Sequence, residues 1–269
     1  MNIKHLQLNT SILKQPEAII DFIQEQGIHV ACLQEVAYLT GGKNKLQDLC
    51  EAKGLHYFEA VHYYYSDQEL TIGCAVVSTW PVSDFEVLYF NTPDYQPKTI
   101  SDQDSVGKAL IYDEKIKEPM ASRGLKHSIK SRAVAIATLQ TPAGPIRVYC
   151  MQYTVSSWAT ETEQMYKLTQ MITSHLKFTK SLPTIASGDM NIQADSYSVR
   201  LLKTQLKHHT DRLKNTLSDS HRALVQDFPE GLAVDHVFSK LLEHKDTKAV
   251  QVDFSDHKAI VSEFVLTGN

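Results

Sequence analysis

The stretch Thr184-Ile185-Ala186-Ser187-Gly188-Asp189-Met190-Asn191 decides how this chain is read. Residues 184–187 suit a short buried strand. Gly188 permits a tight exit and a close backbone approach of a ligand. Asp189 and Asn191, on alternate positions, can orient an attacking water and bind a phosphoryl oxygen. Alone, Gly-Asp-x-Asn also fits an Asx turn after a strand, so its weight comes from the segments around it. Leu8-Asn9-Thr10, Leu33-Gln34-Glu35-Val36, Val234-Asp235-His236-Val237 and Ser255-Asp256-His257 repeat the arrangement. Each sets polar, metal-capable or proton-transferring side chains directly after an apolar stretch. Five such strand ends can converge on one pocket able to hold a metal and a phosphate.

Outward from these segments, residues 2–8 read as a strand. Pro16 opens a helix with Ile19, Ile20 and Ile23 on one face and Gly27 as its stop. Residues 29–34 return as a buried strand, a helix over 44–53 ends at Gly54, and strands follow near 56–60, 72–78 and 82–90. Residues 91–131 carry no sustained period. Strands at 132–140 and 146–152 flank Pro142-Ala143-Gly144-Pro145, which suggests a hairpin. Thr160 and Glu163 have capping-box spacing before a helix whose Leu168, Met171, Ile172 and Leu176 form an apolar stripe. A helix over 197–207 and strands at 232–238, 248–254 and 259–265 close the chain. Hairpins mixed with strand-helix-strand units predict an α/β (α+β) fold, two sheets face to face with helices outside.

The 269 residues, 42% hydrophobic, suffice for one large core, and no linker or low-complexity run divides them, so 1–269 is expected to be a single domain. No run is apolar enough to span a bilayer, and the N-terminus has no secretory pattern, so a cytoplasmic protein is expected. Cys32, Cys50, Cys74 and Cys150 lack CxxC spacing and read as reduced core thiols. A net charge of -4 argues against a surface that grips polyanions as a whole. From Lys115 to Arg132, however, six Lys/Arg face only Glu118. That segment suits a phosphate-contacting loop as well as a solvated connection.

Glu35 ends an apolar run where an ionised carboxylate is costly unless paired or bound to metal. Mg2+ suits it, because that ion takes one or two carboxylates and completes its octahedron with water and substrate phosphate. An ordinary salt bridge is the alternative. Asp235, at one strand edge, and His257, at a strand-to-strand turn, can meet as a hydrogen-bonded pair that fixes the imidazole's tautomer. His236 reads as core. Tyr153 can offer a phenol to a nonbridging oxygen or leaving group, or sit as an amphipathic residue at a sheet edge. Trp158 and Tyr63-Tyr64-Tyr65 can stack on a base at the rim or serve packing.

The ordered set resembles the endonuclease/exonuclease/phosphatase superfamily. Those magnesium-dependent phosphoesterases include pancreatic-type deoxyribonucleases, abasic-site endonucleases, inositol-phosphate phosphatases and neutral sphingomyelinases. The resemblance rests on Gln34-Glu35, Gly188-Asp189-Met190-Asn191 and Ser255-Asp256-His257 in order and spacing, and on Ile72 to Ser78 through Trp80-Pro81-Val82. It covers essentially the whole chain and implies a four-layer sandwich, two mixed sheets between helices. It also implies that Asn9 and Glu35 hold a Mg2+ (or Mn2+) corner with Asp256 beside it. Asp189 and Asn191 would position the water and the phosphoryl group, and His257, oriented by Asp235, would face the phosphate. Arg132 matches the Arg that precedes the family's middle hairpin, as a phosphate contact or a structural ion pair. Where many members have Asn-x-His on the central strand, this chain has Met151-Gln152-Tyr153. A Tyr there resembles the abasic-site branch, yet that branch's Asn-Gly-x-Arg is absent, Asn9 being followed by Thr10-Ser11-Ile12.

Three functions follow. The leading expectation is a metal-dependent phosphodiesterase or nuclease using in-line attack of water. A phosphatase on a phosphoinositide, nucleotide or other small phosphate ester is the second. A non-catalytic binding protein on the same fold is the third. The expected partner is a phosphate ester, nucleic acid among the candidates, with Trp158 and Arg132 contacting it; a monomer without a membrane span is expected.

Overall fold

Strand β1 (Asn2–Asn9) alternates Leu6 and Leu8 with His5, Gln7 and Asn9. This period of two sends one set to the helix layer and the other between the sheets. The computed structural model describes residues 1–39, 42, 44–65, 70–90, 107–112, 132–154, 159–178, 182–219, 221, 223–224 and 227–267. Around β1 a six-stranded sheet is built from β2 (Val30–Leu39), β3 (His56–Tyr65), β4 (Leu70–Ser78), β12 (Glu243–Val250) and β13 (Ala259–Val265), in the order β12-β13-β1-β2-β4-β3. The seven-stranded partner contains β5 (Val82–Phe90), β6 (Gly107–Tyr112), β7 (Arg132–Thr141), β8 (Gly144–Gln152), β9 (Thr184–Asp189), β10 (Lys207–His208) and β11 (Asp235–Lys240). Its order is β10-β11-β9-β8-β7-β5-β6. Both sheets are mixed: β1 and β2 are parallel, as are β8 and β9, whereas β13 and β11 run antiparallel to their neighbours.

Ile3, Cys74 and Val76 of the first sheet pack against Ala133, Ala135 and Val148 of the second. Helices α1 (Pro16–Glu25) and α2 (Lys45–Ala52) cover the first sheet's outer face, where Ile19, Ile20 and Ile23 rest on Leu6, Leu8 and Leu33. Truncating such an isoleucine to Ala costs about 2–5 kcal/mol. Helices α3 (Glu163–Phe178) and α4 (Tyr197–Leu202) cover the other face, Leu168, Ile172 and Leu176 meeting Val134, Ile136 and Met151. The result is the expected four-layer sandwich. All four cysteines are free and buried, and no helix among the described residues is long and apolar enough to cross a membrane.

The departures from the sequence reading have local causes. Thr162, not Thr160, caps α3, its Oγ1 accepting from Met165 N at 3.3 Å. Helix α4 stops at Leu202, where Thr204 Oγ1 donates back to Leu201 O at 2.7 Å and the chain turns to pair His208 with Phe238. Strand β12 begins at Glu243 rather than 248, because its first half is a charged edge with little apolar signal.

Candidate active site

Glu35 reaches the site through a bulge in β2. Leu33 pairs with Ala75 and Val36 with Gly73, so Gln34 and Glu35 together oppose Cys74. Glu35 has φ 54°, a left-handed conformation that a non-glycine residue keeps only when its neighbours fix it. Thr10 does so, its Oγ1 shared between the carbonyls of Gln34 and Glu35, each at 2.9 Å. The bulge lets Gln34 turn in between the sheets while Glu35 stays half-buried. Gln152 Nε2 then donates to Glu35 Oε1 at 3.0 Å.

Strand β9 delivers Asp189 directly opposite Asp235 of β11. A Cβ on Gly188 would lie 2.0 Å from the Met151 carbonyl oxygen. The close approach is therefore that of β8, not of a ligand. Asp189 Oδ2 accepts from Asn9 Nδ2 at 3.0 Å and Asn191 Nδ2 at 3.3 Å, and Oδ1 accepts from Asn191 N at 3.0 Å. Asn9 thus ties the first sheet to the second. The other Asn191 Nδ2 hydrogen goes to Tyr153 O at 3.0 Å. With both amide hydrogens engaged, Asn191 offers a ligand its Oδ1, an acceptor.

The Asp-His pair is formed. His257 Nδ1 lies 2.9 Å from Asp235 Oδ2, and both side chains are buried. Asp235 Oδ1 accepts from Gln7 Nε2 at 3.2 Å, and Gln7 exchanges amide hydrogen bonds with Gln34. Ser255 fixes the turn, donating to Asn9 O at 2.6 Å and accepting from His257 N at 3.0 Å. Burial alone would lower the affinity of His257 for a proton, but Asp235, by charge and hydrogen bond, and then Asp189 and Asp256, raise its pKa to about 10. Burial pushes the Asp189 carboxyl up. His257 pulls it down, the Asp235 and Glu35 charges push it up, Asn9 pulls it down, and it stands at about 7.

Carboxylate oxygens of Asp189 and Asp235 and a ring nitrogen of His257 lie within 4.8 Å of one another. Glu35 and Asp256 fall outside that tight group, although their charges reach Asp189 and His257 respectively. Among the described residues no Lys or Arg forms an ion pair with any of these four carboxylates; only His257 and His221 stand beside them. Hard oxygen donors in excess over positive charge suit a divalent cation such as Mg2+.

Tyr153 is not at this site. Its ring is buried against α3, with the hydroxyl 2.6 Å from Thr169 Oγ1. Strand alternation turns Tyr153 to the helix layer and Gln152 to Glu35, so the Asn-x-His spacing falls on Cys150 and Gln152. Arg132 begins β7 at the same end of the sheet but is buried, its charge acting on His62 and Cys74. No contact joins it to Asp189, Asp235 or His257 among the described residues. Trp158, the side chains of Tyr63-Tyr64-Tyr65 and the basic segment before Arg132 lie outside the described residues. The sequence reading missed Gln7, Gln152 and His221. Gln7 had a signal, since it shares the face of Asn9; His221 lies in a loop with none.

The sequence pattern of the Endonuclease/Exonuclease/phosphatase family matches residues 2–257, and the chain belongs to that family. A UPF0294 protein of Vibrio parahaemolyticus is 31% identical over 121 residues, which cover 45% of this chain and 39% of that protein. An endonuclease/exonuclease/phosphatase from Beutenbergia cavernae has the same fold, with a TM-score of 0.71 at 15% identity over 98% of this chain and 71% of its own. A mannosyl-6-phosphatase of Bacteroides thetaiotaomicron matches with a TM-score of 0.64 at 14% identity, over 98% of this chain and 99% of its own.

Proposed function

We propose that this chain is a Mg2+-dependent phosphoesterase acting on a phosphodiester, a nucleic acid or a nucleotide-like ester. The observation that supports it most is the joining of both sheets at one point, Asn9 to Asp189 and Asp235 to His257. Glu35 and Asn9 would hold the ion, with Asp256 beside them; bound there, it would supply charge for the phosphoryl oxygens. His257 has Nδ1 committed to Asp235, so Nε2 is the nitrogen presented to the phosphate. Asp189, held by three N–H donors from Asn9 and Asn191, orients the water and takes its proton. The new P–O bond forms as the bond to the leaving oxygen, opposite, breaks. Four buried free thiols agree with a cytoplasmic location.

A phosphatase on a small phosphate ester is the second reading. It is favoured by the fold match to a mannosyl-6-phosphatase and by the net charge of -4. The two readings separate in one screen with Mg2+ against single-stranded DNA, duplex DNA, RNA, phosphoinositides and aryl phosphates. The lead expects cleavage of diesters. Turnover of monoesters or phosphoinositides alone would put the phosphatase in its place, and none at all would leave a binding protein.

A further inference from the structure

We propose that Gln152 serves the metal corner with both ends of its amide, Nε2 orienting Glu35 and Oε1 accepting a hydrogen bond from a water bound to the cation. The proposal rests on the metal-dependent reading of the same site and adds to it a positioning residue on the central strand.

Gln152 stands in a row with the two buried aspartates. Asp235 of β11 lies directly opposite Asp189 of β9, and Asp189 opposite Gln152 of β8, so the three side chains share one face of the second sheet. Each meets the first sheet through an amide–carboxylate contact. Gln7 Nε2 donates to Asp235 Oδ1 at 3.2 Å, Asn9 Nδ2 donates to Asp189 Oδ2 at 3.0 Å, and Gln152 Nε2 donates to Glu35 Oε1 at 3.0 Å. In the third contact the sheets exchange roles, the carboxylate coming from the first and the amide from the second.

The amide oxygens set the third contact apart. Gln7 Oε1 accepts from Gln34 Nε2 at 2.9 Å, and Asn9 Oδ1 accepts from Ser11 N at 2.9 Å. Gln152 is 4% exposed and its Oε1 is buried, yet that oxygen has no partner among the described residues. The amide cannot turn over to find one. A carboxylate offers only acceptors, so the NH2 end must face Glu35 and the oxygen must point elsewhere. A buried carbonyl left in this way is costly unless a ligand supplies the donor. The phosphoryl oxygens of a diester carry no hydrogen and cannot supply it. A water held by Mg2+ can, because the ion keeps several waters when it binds through one or two carboxylates, and its charge makes their hydrogens strong donors. The amide is also neutral, so it holds Glu35 in place without cancelling the charge that attracts the cation, as a Lys or Arg would.

The test measures binding of Mg2+ and Mn2+ alone, with no ester present. Gln152→Met, close in shape but without the amide, should weaken binding about 10- to 100-fold, read by calorimetry for Mg2+ and by electron paramagnetic resonance for Mn2+. Gln152→Glu, which restores an oxygen acceptor, should recover the affinity; a residue needed only as a donor to Glu35 would lose it in both variants. In the parent, the side-chain carbonyl carbon resonance of Gln152 should shift downfield with Mg2+ and broaden with Mn2+, a readout that needs no variant to fold. Parent-like affinity in Gln152→Met, no recovery in Gln152→Glu, or an unmoved carbonyl resonance while the parent binds Mg2+ would overturn the proposal. If the parent binds both cations through Gln152 but cleaves no ester of any class, the hydrolytic reading fails and the contact to the metal corner stands. A parent that binds neither cation overturns both.

Discussion

His257 and His208 both pack at the β11 side of the second sheet, yet their surroundings drive one to a cation and the other to a neutral ring. His208 meets Thr210 Oγ1 at 2.8 Å, His236 Nδ1 at 3.1 Å and the face of Phe238 at 4.6 Å. Burial, then the neighbouring His236 and Lys203, push its pKa down to about 2. His209, stacked on His244 at 4.1 Å, is pushed by burial down to about 3. His257 is no less buried, but Asp235 stands 2.9 Å away and reverses the outcome. Burial by itself keeps an imidazole neutral; a positioned carboxylate makes it a fixed cation. The edge cluster is structural, and the Asp235 side is where charge has been gathered.

The strongest way to break this contrast is to weaken the carboxylate side. Chelation should abolish turnover, and Glu35→Gln should lower it about 100-fold or more; steady-state rates with Mg2+ and in EDTA check both. Full turnover in chelator would refute the metal corner.

A second, smaller effect is on stability, followed by urea unfolding across pH in the presence of chelator. His208 and His209 have folded pKa values below the unfolded one of about 6.5. Their contribution is present above that pH and is lost as pH falls toward about 3 and about 2. His257 has a raised folded value, so its contribution is complete below about 6.5 and is lost as pH rises through about 10. His208→Phe should flatten the acid limb and Asp235→Asn the alkaline limb. The same limb flattened by both variants would erase the distinction between the two regions.

The smallest effect concerns the basic segment. If the substrate is an oligonucleotide, few phosphate contacts should give a log-log salt slope of roughly -2 to -4. Neutralising Arg123, Lys126 and Lys130 should flatten it while leaving a small aryl diester nearly untouched; an unchanged slope would remove that segment from the interface.

How much of this could be read from the chain depended on whether a residue's neighbours in space were also neighbours in pattern. The five strand-end segments were legible because apolar runs announce strands, and the polar residue after each must emerge at an edge. The pairing of Asp235 with His257 followed from that. The β2 bulge was not legible: nothing in Leu33-Gln34-Glu35-Val36 states that Thr10 will hold Glu35 at positive φ. Tyr153 was misplaced because one residue of strand parity exchanges the site face for the helix face, and the exact end of β8 decides which of Gln152 and Tyr153 turns inward. His221 depends on a loop whose position comes from backbone hydrogen bonds to Asp256 and Lys258, which leave no periodic trace.

The most direct test of the site as one working unit is a double-mutant cycle on Asp235 and His257, measured as Mg2+-dependent turnover of a diester. Asp235→Ala and His257→Ala should each lower kcat about 100-fold or more, and the double variant should be little worse than His257→Ala, because partners in one unit do not lose activity independently. Multiplying losses, or a His257→Ala protein as active as the parent, would contradict it.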